Sequence, residues 1–277
     1  MIKIIADSSC CISQEEAKKL DIDIIPLPID IDNTEYLDGI NLSTAEFYEK
    51  LKTATNLPMT SQPSPLEFLE RFEKIKQDGD SAIVITLSSK ISGSYNSACL
   101  CKNEIDCPEI EIIDSTTTIG GMGAIVKEAV RLRDTLNVHE LADYLNKFKL
   151  RSVTYGCIDT LEYLSKGGRL SGTAKFFGTM LNIKPIIQVD EGEIKLIDKK
   201  MGSRNGLEHL INLFQKSNYD PTYPVILQHS ADPSKTEYVE KRLKELGVTK
   251  FEYGEISGIV GTHIGPGACA LIFTTKE

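Results

Sequence analysis

Short β-branched runs along this chain alternate with stretches of helical periodicity, the order expected of βα units around a largely parallel sheet. Ile2 to Ala6 reads as a buried strand, and Ser81 to Leu87 as the clearest central one. Ile22 to Ile31 alternates around Pro26 and Pro28, which demotes it to an edge or bulged strand because proline cannot donate to a ladder. Ile110 to Ile113 is a further short strand. Three capping-box sequences, beginning at Ser13, Ser43 and Ser64, announce helices, the last with Pro65 at its first position. Further helices are expected from near Ser92, after Gly123 and from Asn137.

The texture changes near Arg151. Ser152 to Ile158 and Lys184 to Val189 read as strands, and Glu193 to Lys199 pairs back across Asp190-Glu191-Gly192, a hairpin signal. Helices at Arg204 to Phe214 and Lys235 to Leu246 alternate with strands at Val225 to Gln228 and Phe251 to Glu255. The expectation is an α/β protein of two closely packed domains, residues 1–155 with a mostly parallel sheet and flanking helices, and 156–277 an α/β sandwich with a mixed sheet.

Composition narrows the function classes. The 277 residues are 41% hydrophobic, with mean hydropathy -0.15, as in a soluble globular chain with a sizeable core. No apolar run is long enough to span a bilayer, and the N-terminus turns polar too soon for a signal peptide, so a cytoplasmic location is expected. A formal charge of -9 and absent Trp argue against nucleic-acid binding. The seven cysteines include no C-x-x-C pair and the histidines are scattered, so no metal is expected and the thiols read as reduced. The nucleophile elbow, P-loop, zincin and dinucleotide fingerprints all fail, which leaves no catalytic residue to assign.

Polar loops after apolar runs carry the remaining chemistry. Thr60 and Ser61 offer hydroxyls ahead of Pro63 and a helix start, or simply cap that helix. From Thr86 a strand runs into Ser92 and Gly93 and then a helix, an arrangement that aims backbone N–H groups at an anion or caps the helix unaided. Around His263 so many glycines cluster that another group must approach the backbone closely, although a lone histidine is often a core or surface residue. Leu161 to Arg169 ends in Gly167-Gly168, a C-cap that leaves Arg169 free to act.

In their order and spacing these segments resemble the DegV family: Asp7-Ser8-Ser9, Thr60 to Pro63, Leu87 to Gly93, Asp114-Ser115, Leu161 to Arg169, Leu181 to Pro185 and Gly261 to Gly267. The resemblance covers almost the whole chain. It implies a non-enzymatic carrier with one long-chain fatty acid between its domains as ligand and no cofactor. A separate fatty acid kinase would phosphorylate the exposed carboxylate for phospholipid synthesis. Carried over by motif, Thr60 and Ser92 bond the carboxylate, with Ser61, Gly93 and His263 close by. Arg169 and Arg204 contact the kinase or its phosphates, and transient contact with a membrane surface is compatible with that role. Phe176, Phe177, Met180 and Leu181 are expected either along the tunnel or as ordinary helix core. Cys11, where the family often has Asp, and Ser94, a frequent Thr, are departures. The alternatives are a lipid hydrolase using Ser92 with His263, an enzyme resembling dihydroxyacetone kinases, and a regulatory module whose lipid is incidental.

Overall fold

The computed structural model describes residues 1–172 and 182–277; the expected tunnel residues Phe176, Phe177, Met180 and Leu181 lie outside them. Strand β1 (Ile2–Asp7) is followed by α1 (Gln14–Leu20) and β2 (Ile22–Ile25). β3 (Pro28–Ile31), β4 (Thr34–Leu37), α2 (Thr44–Thr53), β5 (Met59–Thr60) and α3 (Pro65–Asp78) come next. β6 (Ser81–Thr86), α4 (Ser94–Ile105), β7 (Ile110–Asp114), α5 (Ile119–Leu132) and α6 (Val138–Phe148) complete the first lobe.

Strands β2-β1-β6-β7, in that order, form an all-parallel sheet. β1 and β6 are buried almost throughout, as strands covered on both faces must be. The run from Ile22 to Ile31 is two strands rather than one. β2 joins the parallel sheet, and β3 leaves it for a small antiparallel sheet of order β4-β3-β5.

The helix starts show which local signals decide. Ser43 and Glu46 close a reciprocal capping box. At Ser13 only the serine caps, because Glu16 turns to Lys127 at 2.8 Å. Glu67 likewise pairs with Arg71. Helix α5 begins at Ile119, ahead of the expected start after Gly123. Its glycines oppose helix formation locally, but they let α5 sit tightly between the two lobes. A Cβ on Gly120 would stand 2.8 Å from Ile226, and one on Gly123 2.9 Å from the Cys10 carbonyl.

The second lobe runs β8 (Ser152–Cys157), α7 (Glu162–Lys166), β9 (Ile183–Asp190), β10 (Glu193–Met201), α8 (Ser203–Gln215) and β11 (Val225–His229). It ends with α9 (Pro233–Glu245), β12 (Phe251–Glu255), α10 (Gly258–Ile264) and β13 (Cys269–Thr274). The sheet order β10-β9-β8-β13-β11-β12 is mixed, with β11 and β12 its one parallel pair. Glu191 and Gly192, both at positive φ, make the tight β9–β10 hairpin. Residue 155, the expected domain boundary, lies inside β8, whose residues all pair with β13. A division there would cut a strand, and we propose it instead at the Lys149–Arg151 turn.

Candidate ligand-binding site

In the parallel sheet the chain leaves β1 toward β2 on one side and later β6 toward β7 on the other, so a topological switch point falls between β1 and β6. Open α/β sheets place ligands outside the carboxyl ends of the strands at such points. Here those ends are Asp7-Ser8-Ser9 and the loop Leu87 to Gly93. Asp7 binds them together by accepting the Leu87 N–H at 2.8 Å and the Ser9 N–H at 3.1 Å. Burial pushes its carboxyl up to about 6, opposed by those hydrogen bonds. Asp114 fixes the next turn of the same loop, accepting the Ser89 N–H at 3.2 Å.

The second lobe closes this end from above. Helix α10 lies against α2 and the small sheet. A Cβ on Gly258 or Gly261 would strike Phe47, so glycine is what lets the helix descend. From α10 the His263 ring meets Thr60 of β5, Nε2 to Oγ1 at 2.7 Å. Burial, then the nearby Arg169 charge, lower His263 to about 4, so the imidazole is neutral at ordinary pH. Its Nδ1 lies against Gly167 and has no partner among the described residues. On the far side the β9–β10 hairpin touches the loop, Ser88 Oγ donating to the Gly192 carbonyl at 2.7 Å.

The cavity between these elements measures about 150 Å³. Thr60, Ser61, Ser92, Gly93 and His263, the five residues expected around a carboxylate, all line it, and so does Arg169, expected instead at a partner contact. Leu27, Leu87, Ile91, Ile194, Ile259 and Val260 supply an apolar wall. Ser92 Oγ pairs with Ser94 Oγ at 3.0 Å. Arg169 ties the lobes together, Nη1 donating to the Gly167 carbonyl at 2.6 Å and Nε to that of Ile91 at 3.2 Å. Arg204 stands apart, exposed on the first turn of α8 and outside the cavity wall. Sequence reasoning gave no role to Gln62 or Thr118, which also line the cavity. The Gln62 signal was its place inside the Thr60 to Pro63 motif; Thr118 had none.

Fold and site define a class: α/β proteins of two lobes with a donor-lined cavity at the switch point of a parallel sheet, closed by a helix of the second lobe. The DegV family model, described as an uncharacterised protein family, matches residues 1–276. A DegV domain-containing protein of Caldanaerobacter subterraneus subsp. tengcongensis is 34% identical over 99% of both chains. Among solved structures, a DegV lipid binding protein from Thermotoga maritima superposes with a TM-score of 0.86 at 27% identity, covering 100% of this chain and 99% of that one. DegV, a fatty acid binding protein from Bacillus subtilis, gives 0.86 at 26% identity over 99% of each. The chain belongs to the DegV family. Among the described residues no helix is long and apolar enough to cross a membrane.

Proposed function

We propose that this protein is a carrier that buries a long-chain fatty acid between its lobes, carboxylate toward Thr60, Ser92 and His263. The single observation that supports it is the convergence of those three side chains, from three distant segments, on one cavity. Solved relatives described as lipid or fatty acid binding share the fold over their full length. Burying an acyl chain of about sixteen carbons yields roughly 12 kcal/mol gross. Burying its carboxylate costs several kcal/mol unless donors replace water. A proton on His263 Nε2 donates to Thr60 Oγ1 and frees the Thr60 O–H for the ligand; the other tautomer consumes that donor. The cavity is smaller than the roughly 300 Å³ of ordinary small-molecule pockets. It therefore accounts for the head group, and the tail requires the apolar seam behind Ile91, Ile194 and Val260 to part.

The finer reading is that a fatty acid kinase phosphorylates the presented carboxylate to an acyl phosphate, with Arg169 and the exposed Arg204 facing the kinase or its phosphates. Neutral hydroxyls suit that role, because a carboxylate clamped bidentately by arginine is a poor nucleophile. A cytoplasmic carrier that meets the membrane surface only transiently fits the same scheme. A hydrolase is less well supported, since His263 pairs with Thr60 and Ser92 with Ser94, so no Ser–His dyad is formed. Native mass spectrometry of freshly purified protein tests the carrier reading. A co-purified mass matching one long-chain fatty acid is expected; protein that neither retains nor takes up such a lipid would sink it.

A further inference from the structure

Gln62 lines the cavity and reaches across Gly93: a Cβ built on Gly93 would stand 1.8 Å from Gln62 Oε1 and 3.0 Å from its Cδ. Gly93 has φ -79° and ψ -2°, an ordinary right-handed conformation, so its backbone does not call for glycine. The missing Cβ instead makes room for Gln62. Gly93 is also the N-cap of the twelve-residue α4; Ser92 Oγ accepts the first N–H of that helix, from Ser94, at 3.3 Å, and Gln62 lies over this helix start.

The backbone that carries Gln62 is pinned on both sides. Ser61 N–H donates to the Pro28 carbonyl at 3.3 Å, extending the β3–β5 pairing, and the following Pro63 is buried and restricts Gln62 to extended conformations. The side chain is free by contrast. The residue is exposed on its outer side, and no hydrogen bond holds its amide among the described residues.

We infer that Gln62 is a removable cover over the carboxylate end of the slot, and that residue 93 is glycine in order to seat it. The inference rests on the carrier reading, in which a donor must reach a carboxylate that is otherwise kept from water. The cover acts by bulk, since contact alone holds it. Swinging one unbonded side chain outward then uncovers the head group without moving either lobe.

Stopped-flow displacement of cis-parinaric acid by excess oleate, on the intact chain, tests this. Gln62→Ala should release the probe about fivefold to tenfold faster, because changes at a binding surface act mainly on the off-rate. Gly93→Ala should also speed release, by ejecting Gln62. In the Gln62→Ala background Gly93→Ala should add nothing, and Gln62→Met, which keeps the bulk, should stay near wild type. A Gln62→Ala rate equal to wild type, a full additional effect of Gly93→Ala in the double variant, or a Met variant as fast as Ala would overturn the cover. Wild-type protein that fails to bind the probe would overturn the carrier reading, a separate outcome.

Discussion

Two cavities lie along α5 between the lobes, and they differ in how their polar groups are satisfied. The larger, about 450 Å³, sits at the C-terminal half of the helix and is lined by Lys127, Glu128, Arg131, Tyr223 and Glu252. Its charges are spoken for. Glu128 accepts from Arg131 at 2.7 Å, Tyr144 at 2.6 Å and Tyr223 at 3.3 Å, and Lys127 bridges Glu16 and Glu252. Ser152 Oγ is the one buried side-chain polar atom left unpartnered there among the described residues. The smaller cavity at the N-terminal end holds Thr118 Oγ1 and His263 Nδ1 without partners, and a Ser92 hydroxyl whose side-chain partner is another hydroxyl. Volume alone points to the cavity whose charges are already paired, whereas polar atoms left over after the fold has used its own point to the smaller one.

The largest effect that could break this distinction is at Glu128, whose side chain is only 4% exposed. Glu128→Ala strands two tyrosine hydroxyls and an arginine, and should cost about 2–3 kcal/mol of stability. Urea denaturation would measure it, and fatty-acid affinity should stay within about twofold of wild type. An affinity loss as large as the one expected at Thr60 would erase the difference between the cavities.

The converse pair sharpens it. Thr60→Val and Ser92→Ala should each weaken fatty-acid binding about tenfold, the worth of roughly 1.4 kcal/mol of hydrogen bonding to a charged group. Ser92→Ala should move stability by less than about 0.5 kcal/mol, because the site is only partly buried, whereas Thr60→Val also unpairs His263 Nε2 and should cost about 1 kcal/mol. Titration calorimetry with oleate gives the affinity. Unchanged binding in both variants would remove these hydroxyls from the site.

Much of this was legible in the sequence, for identifiable reasons. β1, β6 and the β9–β10 hairpin announced themselves through buried β-branched runs and a turn that needs positive φ. The switch-point loops could be found because strand ends rich in Ser and Gly are costly unless they bind something. The start of α5 was hidden, since Gly120, Gly121 and Gly123 argue against helix until the opposing sheet at Ile226 and Thr154 is known. The split of Ile22 to Ile31 was hidden likewise. Period-two alternation gives a residue's face but not the sheet that will receive it. Arg169 was expected to contact a partner; its place in the cavity wall, through the Ile91 and Gly167 carbonyls, is a further contact that only tertiary structure supplies.

The smallest effect concerns pH, where the groups around the slot oppose one another. His263 sits near 4 against an ordinary 6.5, so between those values the unfolded chain holds a proton that the native state lacks, and acidification destabilises the fold. Asp7 and Asp38 are both pushed up to about 6 by burial, and neither is offset by a Lys or Arg. Asp7 faces Ser9 and the Leu87 N–H; Asp38 faces Ser8, Ser257 and the N–H groups of Gly258 and Ile259 that begin α10. Between about 3.8 and 6 the native state holds protons on these carboxyls that the unfolded chain has lost, so their contribution is present at low pH and lost as pH rises. Wild type superimposes these trends in the acid range. His263→Gln removes only the imidazole's share, so its stability should fall more steeply with rising pH between about 4 and 6.5 than that of wild type. Urea midpoints at three pH values across that range would show it. Parallel profiles for the two proteins would mean that the imidazole beside Thr60 is not kept neutral by its surroundings, and the tautomer that frees the Thr60 hydroxyl for a carboxylate would lose its physical basis.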